Sequence, residues 1–164
     1  MTTPRRVLVV TWDGGGTIPV ELALARRLAR RGHHVRVLAD PTVEAEACDA
    51  GCDFVPWRAA PHRATRDRAH TVLRDYEGGG ALGGTRHMVR EFMAAPLARF
   101  AADASEAIDA WRPDVALVDY LLPGAVCAVE AQGVPRAVLI PNINMVPARG
   151  VPPMGPGLRP MRGP

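Results

Sequence analysis

The 164-residue chain has no lysine, so all 20 basic side chains are arginine, set against 17 acidic residues for a net charge of +3. These arginines are dispersed among the acids rather than gathered on one face, and only three Phe, three Trp and two Tyr are present. A nucleic-acid partner, which needs a basic face and aromatics for stacking, is therefore not expected. No apolar run approaches the roughly 20 residues that span a bilayer, so no membrane partner is expected either. Arg5 and Arg6 before Val7 to Val10 imitate a signal peptide, but the run is too short and lacks a small-residue cleavage site. Cysteine is scarce: Cys48, Cys52 and Cys127 are an odd count without paired spacing. No second ligand pair follows Cys48 and Cys52 to complete a metal site, so neither a disulfide framework nor a metal is expected. Free thiols in a reducing compartment point to a cytoplasmic protein.

With 48% hydrophobic and 23% charged residues the chain is a folding one, long enough for one domain. Glycine and proline, 16 of each, are unevenly placed: seven Pro and four Gly fall between Pro141 and Pro164. The expected organisation is a domain over 1–141 followed by a Pro/Gly-rich loop or tail over 142–164.

Short apolar runs alternate with helical patterns. Val7 to Val10, Val35 to Leu38, Phe54 to Trp57, Val115 to Val118 and Ala137 to Ile140 read as strands. Between them, helices are expected over about 18–31, with Val20, Leu24 and Leu28 as its apolar stripe and an acid in its first turn, and over 42–50 and 124–132. A longer helix over 85–111 would carry Val89, Phe92, Phe100, Ala104, Ile108 and Trp111 on one stripe, with a kink at Pro96. Residues 58–84 read as a loop region. The fold class is α/β: a Rossmann-like, doubly wound parallel sheet covered on both faces. In that arrangement the first and fourth strands meet at the switch point, and ligands bind outside their carboxyl ends. The loop Trp12 to Pro19 and the loop from Asp119 would face that crevice.

Asp13-Gly14-Gly15-Gly16-Thr17-Ile18-Pro19 admits several readings. A Walker loop requires a lysine and fails. A dinucleotide-binding Rossmann domain for NAD or another nucleotide would use Gly14, Gly16 and, for the ribose, Asp40 at the end of the second strand. The plainest reading is a turn that lets strand and helix pack.

A further reading comes from resemblance. Val7-Leu8-Val9-Val10-Thr11, the Gly-rich loop with Pro19, Leu22 to Leu28, Arg31 to Leu38 and Gly51 to Pro56 resemble the opening of GT-B-fold glycosyltransferases. So do Arg112-Pro113-Asp114-Val115 through Pro123, and Gly133-Val134-Pro135. The group is the UDP-glucuronosyltransferase-like one that includes bacterial macrolide and glycopeptide transferases. The resemblance implies the amino-terminal half of a GT-B fold, truncated, that holds a small-molecule acceptor. A nucleotide-sugar donor would bind only with a second domain, absent here, so this chain is not expected to turn over alone. No cofactor or metal is implied. A general base, His or Asp, is expected three residues before Pro19, where this chain has Gly16. Asp119 matches the acid that orients that base, and Asp13 is an alternative base at the strand end. Acceptor contacts are expected from Gly15, Gly16, Thr17, Trp57, Phe92 and Asn142, with Tyr76, Met88, Met93 and Asn144 nearby. A standalone acceptor-binding or auxiliary domain that pairs with a separate chain is the remaining alternative.

Overall fold

The computed structural model describes residues 3–73 and 80–141. Expectations that rest on Tyr76, Asn142, Asn144 and the Pro/Gly tail lie outside the described residues. Five strands, β1 (Arg6–Val10), β2 (His34–Ala39), β3 (Asp53–Pro56), β4 (Val115–Asp119) and β5 (Arg136–Leu139), pair in parallel in the order β3-β2-β1-β4-β5. The chain steps outward from β1 to β3 and then resumes at β4 on the other side of β1. The switch point therefore lies between β1 and β4, as the doubly wound reading requires.

The unbroken apolar run of β1 is explained by its two buried faces. Leu8 and Val10 enter the layer built by α4 (Leu97–Trp111) and α5 (Pro123–Ala131). Val7 and Val9 enter the opposite layer, with α1 (Thr17–Arg30) and α2 (Glu44–Asp49). Every second residue of a strand points to the same face, so such a strand must be apolar throughout. Helices α1, α2 and α5 end close before Gly32, Gly51 and Gly133, each at positive φ.

Three expectations need correction. The buried face of α1 is Ile18, Leu22 and Ala25, not the stripe through Val20 and Leu24, which are 53% and 36% exposed. That second apolar strip overhangs β5, lining a groove with Leu139 and Ile140. Nor does an acid sit in the first turn of α1: Glu21 lies one turn in and is buried. The long helix over 85–111 is instead α3 (Gly80–His87), wide π-type turns over Met88–Ala94, and α4 after the break at Pro96. Wide turns carry more residues each, which rotates Val89 out of the stripe and leaves it exposed, while Phe92, Phe100, Ala104 and Ile108 stay buried.

α4 and α5 pack against each other at Gly124. A Cβ at that position would stand 2.1 Å from the carbonyl oxygen of Leu97, so only glycine permits the approach. Gly124→Ala is expected to lower unfolding stability by about 2–3 kcal/mol. Urea denaturation would show it as a lower midpoint at unchanged slope. A change below about 0.5 kcal/mol, typical of surface sites, would contradict this packing.

Candidate functional site

Beyond β1 the chain passes through Thr11 to Gly16 into α1. Gly15 turns at φ +77°, a left-handed conformation that favours glycine. Gly16 is the N-cap of α1 at ordinary helical angles, with no atom within 4 Å of where a Cβ would stand. Position 16 is thus open space at the carboxyl end of β1, and no side chain caps the helix.

Asp13 turns toward the carboxyl end of β2. Its Oδ2 accepts from Thr42 Oγ1 at 2.7 Å and Arg66 Nε at 3.0 Å, and its Oδ1 accepts from the Gly15 N–H at 3.3 Å. Burial by itself would raise its pKa, but the Thr42 and Arg66 hydrogen bonds and the guanidinium charge outweigh it and hold the carboxyl below its ordinary value. An acid so stabilised as the anion is a weak base. Arg66 also grips Glu46 of α2 through both terminal nitrogens, at 2.6 and 2.9 Å, so Asp13 anchors the segment after β3. Asp40 is 3% exposed, and its oxygens accept the backbone N–H groups of Asp13 at 2.8 Å and Arg63 at 2.5 Å. Its carboxylate holds loops together and is not free for a ribose.

Asp119 ends β4 on the other side of β1 and is fully buried. Its Oδ1 accepts the Leu121 N–H at 2.7 Å, which turns the chain into α5. Its Oδ2 meets no aligned donor among the described residues. Facing it is the Glu21 carboxyl from α1, itself 2% exposed, whose Oε2 accepts from the Thr11 hydroxyl while Oε1 has no donor. Burial pushes Glu21 up to about 8, with the Asp119 charge adding to it against the Thr11 hydrogen bond. Burial likewise raises Asp119, to about 6, against the Leu121 N–H, Glu21 and the nearby Trp12 indole. Trp12 Nε1 and Thr17 Oγ1 are likewise buried without a hydrogen-bond partner among the described residues.

Under this cluster lies a chain of rings. Trp12 and Phe92 are 4.3 Å apart, Phe92 and Phe100 5.8 Å, and Phe100 and Trp57 5.0 Å. Trp57 and Phe92, both 2% exposed, therefore form the floor beneath the loop rather than an open wall, and Trp57 Nε1 donates to the Thr11 carbonyl at 3.0 Å. Asp103 of α4 accepts the N–H groups of Arg58, Ala59 and Ala60, fixing the exit from β3 over this floor.

Several known proteins are similar to this chain. Over 155 residues the chain is 26% identical to 4'-demethylrebeccamycin synthase of Lentzea aerocolonigenes, covering 94% of this chain and 37% of that one. The solved glycotransferase of kitacinnamycin superposes with a TM-score of 0.62 at 23% identity, over 88% of this chain and 32% of its own. SsfS6, the glycosyltransferase of Streptomyces sp. SF2575, superposes with a TM-score of 0.62 at 22% identity, over 82% and 38%. It has also been solved complexed with thymidine diphosphate.

The fold is that of one GT-B half, as in these solved glycosyltransferases.

The chain spans about a third of the length of the proteins it matches. No family model matches it. Among the described residues, no helix is long and apolar enough to cross a membrane. Of the residues expected at the GT-B crevice, the structure sets Gly15, Gly16 and Thr17 at the end of β1 and Asp119 at the end of β4. It separates Asp13, which belongs to the Asp40–Arg66 network, and Asn142 lies outside the described residues. Glu21 was not singled out in the sequence, although the signal was there: it lies three residues after Ile18 and four before Ala25, on the face that packs against the sheet.

The raised pKa of Glu21 has a defined sign. The native state binds its proton more tightly than the unfolded chain, so its contribution is full below about 4.5 and lost as the pH rises through about 8. Glu21→Gln, which keeps the shape of the neutral acid, is expected to flatten the fall in stability across that window, an effect on the order of a few kcal/mol. Thermal unfolding at stepped pH would show it; an unchanged slope would contradict the buried, protonated Glu21.

Proposed function

We propose that this chain is the amino-terminal, acceptor-binding half of a glycosyltransferase. It would work with a second, donor-binding domain that carries the nucleotide-diphosphate sugar. The reaction is transfer of the sugar to a hydroxyl of a small natural product. The reading rests on the match along 94% of the chain to 4'-demethylrebeccamycin synthase, together with the GT-B fold shared with the solved glycosyltransferases. The solved neighbours are named as glycosyltransferases, one of them of calicheamicin, and two were solved with thymidine diphosphate, which supports a thymidine or related nucleotide donor and an aglycone acceptor.

In this reading the acceptor lies over Gly15, Gly16 and Thr17, above the floor formed by Trp12, Phe92, Phe100 and Trp57. Asp119 stands at the crevice end where a proton must leave the acceptor hydroxyl. The open space at Gly16 widens the approach, because no side chain fills it. Asp119, buried at the end of β4, is the positioning acid of the proposal, and Asp13 is an ionised anchor on the β2 side.

The alternative dinucleotide reading needs Asp40 for the ribose, and that carboxylate already accepts two backbone N–H groups. Calorimetric titration separates the two. The transferase reading expects a hydroxylated aromatic aglycone to bind the chain without nucleotide, and NAD to give no heat of binding. Tight NAD binding with no aglycone binding would overturn it.

A further inference from the structure

The apolar run of β2 is interrupted by one charged residue, Arg36, between Val35 and Val37. Strand residues alternate faces, so Arg36 shares the face of Leu38, which packs into the layer built by α4. Its guanidinium lies over the Trp111 ring of α4 at 4.7 Å, and Nη2 donates to Asp53 of β3 at 3.3 Å. α4 faces this part of the sheet with small residues, Ala107 and Ala110, and a cavity of about 170 Å³ is left between them. Leu38, Val55 and Pro56 form its apolar wall on the sheet side. Arg58, Glu106 and Ala110, all exposed, stand at its mouth. An apolar cavity of about 150 Å³ is enough to hold one benzene ring, so this one has the size for a single-ring molecule.

Most of the polar groups around the cavity are spent on one another. Asp103 accepts the backbone N–H groups of Arg58, Ala59 and Ala60, and Arg58 pairs with Glu106 at 2.7 Å. Of the Arg36 nitrogens only Nη2 is bonded among the described residues. Nε is buried without an acceptor and out of a ligand's reach, whereas Nη1 is unpaired and not closed off. The charges lining the cavity, Arg36 and Arg58 against Asp103 and Glu106, cancel, so an anion would gain no net attraction and would meet two carboxylates. We infer that this cavity is a second small-molecule site, away from the β1–β4 crevice. Its ligand class is an uncharged single-ring compound with one acceptor oxygen, such as an aryl ketone or amide. The ring packs against Leu38, Val55 and Ala107, and the oxygen accepts from Arg36 Nη1, a donor that Trp111 and Asp53 already hold in place. The site stands whether or not the chain transfers sugars.

The test is amide chemical-shift titration of the 164-residue chain with acetophenone, compared with toluene, which lacks the oxygen, and benzoate, which carries a charge. Acetophenone should give saturable shifts at Val55, Arg58, Ala107 and Ala110, with a dissociation constant on the order of a millimolar for so small a molecule. Toluene and benzoate should bind at least about tenfold more weakly, the loss expected when a hydrogen bond to a charged donor is missing or the charge is wrong. Arg36→Met keeps an apolar stem over Trp111 but removes the donor; it should weaken acetophenone about tenfold and leave toluene unchanged. Should Arg36→Met fail to fold, Ala110→Leu, at an exposed helix position, fills the mouth and should abolish the shifts from both compounds. Absence of saturable shifts at these amides would overturn the proposal, as would toluene or benzoate binding as tightly as acetophenone. Acetophenone shifts gathered at Gly14 to Thr17 instead would place the compound in the crevice and overturn it too.

Discussion

The pairing of β1 with β4 in parallel, Val7 beside Val115 through Val10 beside Val118, is the contact on which the site depends. These strands are distant in sequence, and their alignment brings the Thr11–Gly16 loop and Asp119 to one end of the sheet. α1, which leaves β1 at that end, then lays Glu21 against Asp119. Had β4 paired at the other edge, beside β3, none of these groups would meet. The crossover through α4 is what places it, and α4 is held by its ring contacts and by the Asp103 hydrogen bonds to residues 58–60. Core packing and the crevice are thus built by the same elements.

Four acids stand along this end of the sheet, and their surroundings drive them to opposite states. Asp13 meets a guanidinium, a hydroxyl and a backbone N–H and stays ionised. Asp40 takes a backbone donor on each oxygen, yet burial still raises its pKa, with the Asp13 charge adding to it. Glu21 and Asp119 receive one good donor each and face each other with what remains. Burial then favours the neutral form. The Arg66 hydrogen bond and charge help set Asp13, held below its ordinary value, apart from the three buried acids whose pKa burial raises.

Much of this was legible in the sequence. The unbroken valines of β1 announced a strand buried on both faces, and the alternation of strands and helices announced a doubly wound sheet. Gly32, Gly51 and Gly133 marked the helix ends. What failed did so for local reasons. Val20 and Leu24 made a convincing stripe because α1 has a second apolar strip, over β5, and periodicity does not say which strip meets the sheet. Glu21 looked like a surface acid because carboxyls seldom enter a core unpaired. Its partner lies 98 positions along the chain at Asp119, and only the β1–β4 pairing brings the two together. Asp13 looked free to reach the crevice until Thr42 and Arg66, from two other segments, claimed its oxygens. Phe92 and Trp57 have the size of pocket walls, but their partners Trp12 and Phe100 make them floor.

The central claim is that ligand recognition takes place at the β1–β4 switch point. Amide chemical-shift mapping of the isotopically labelled chain against a hydroxylated aromatic aglycone tests it most directly. The account predicts perturbations gathered on the amides of Gly14 to Thr17 and of Tyr120 to Leu122. Perturbations gathered instead around Asp40 and Arg63, at the end of β2, or spread without focus over the surface, would contradict it.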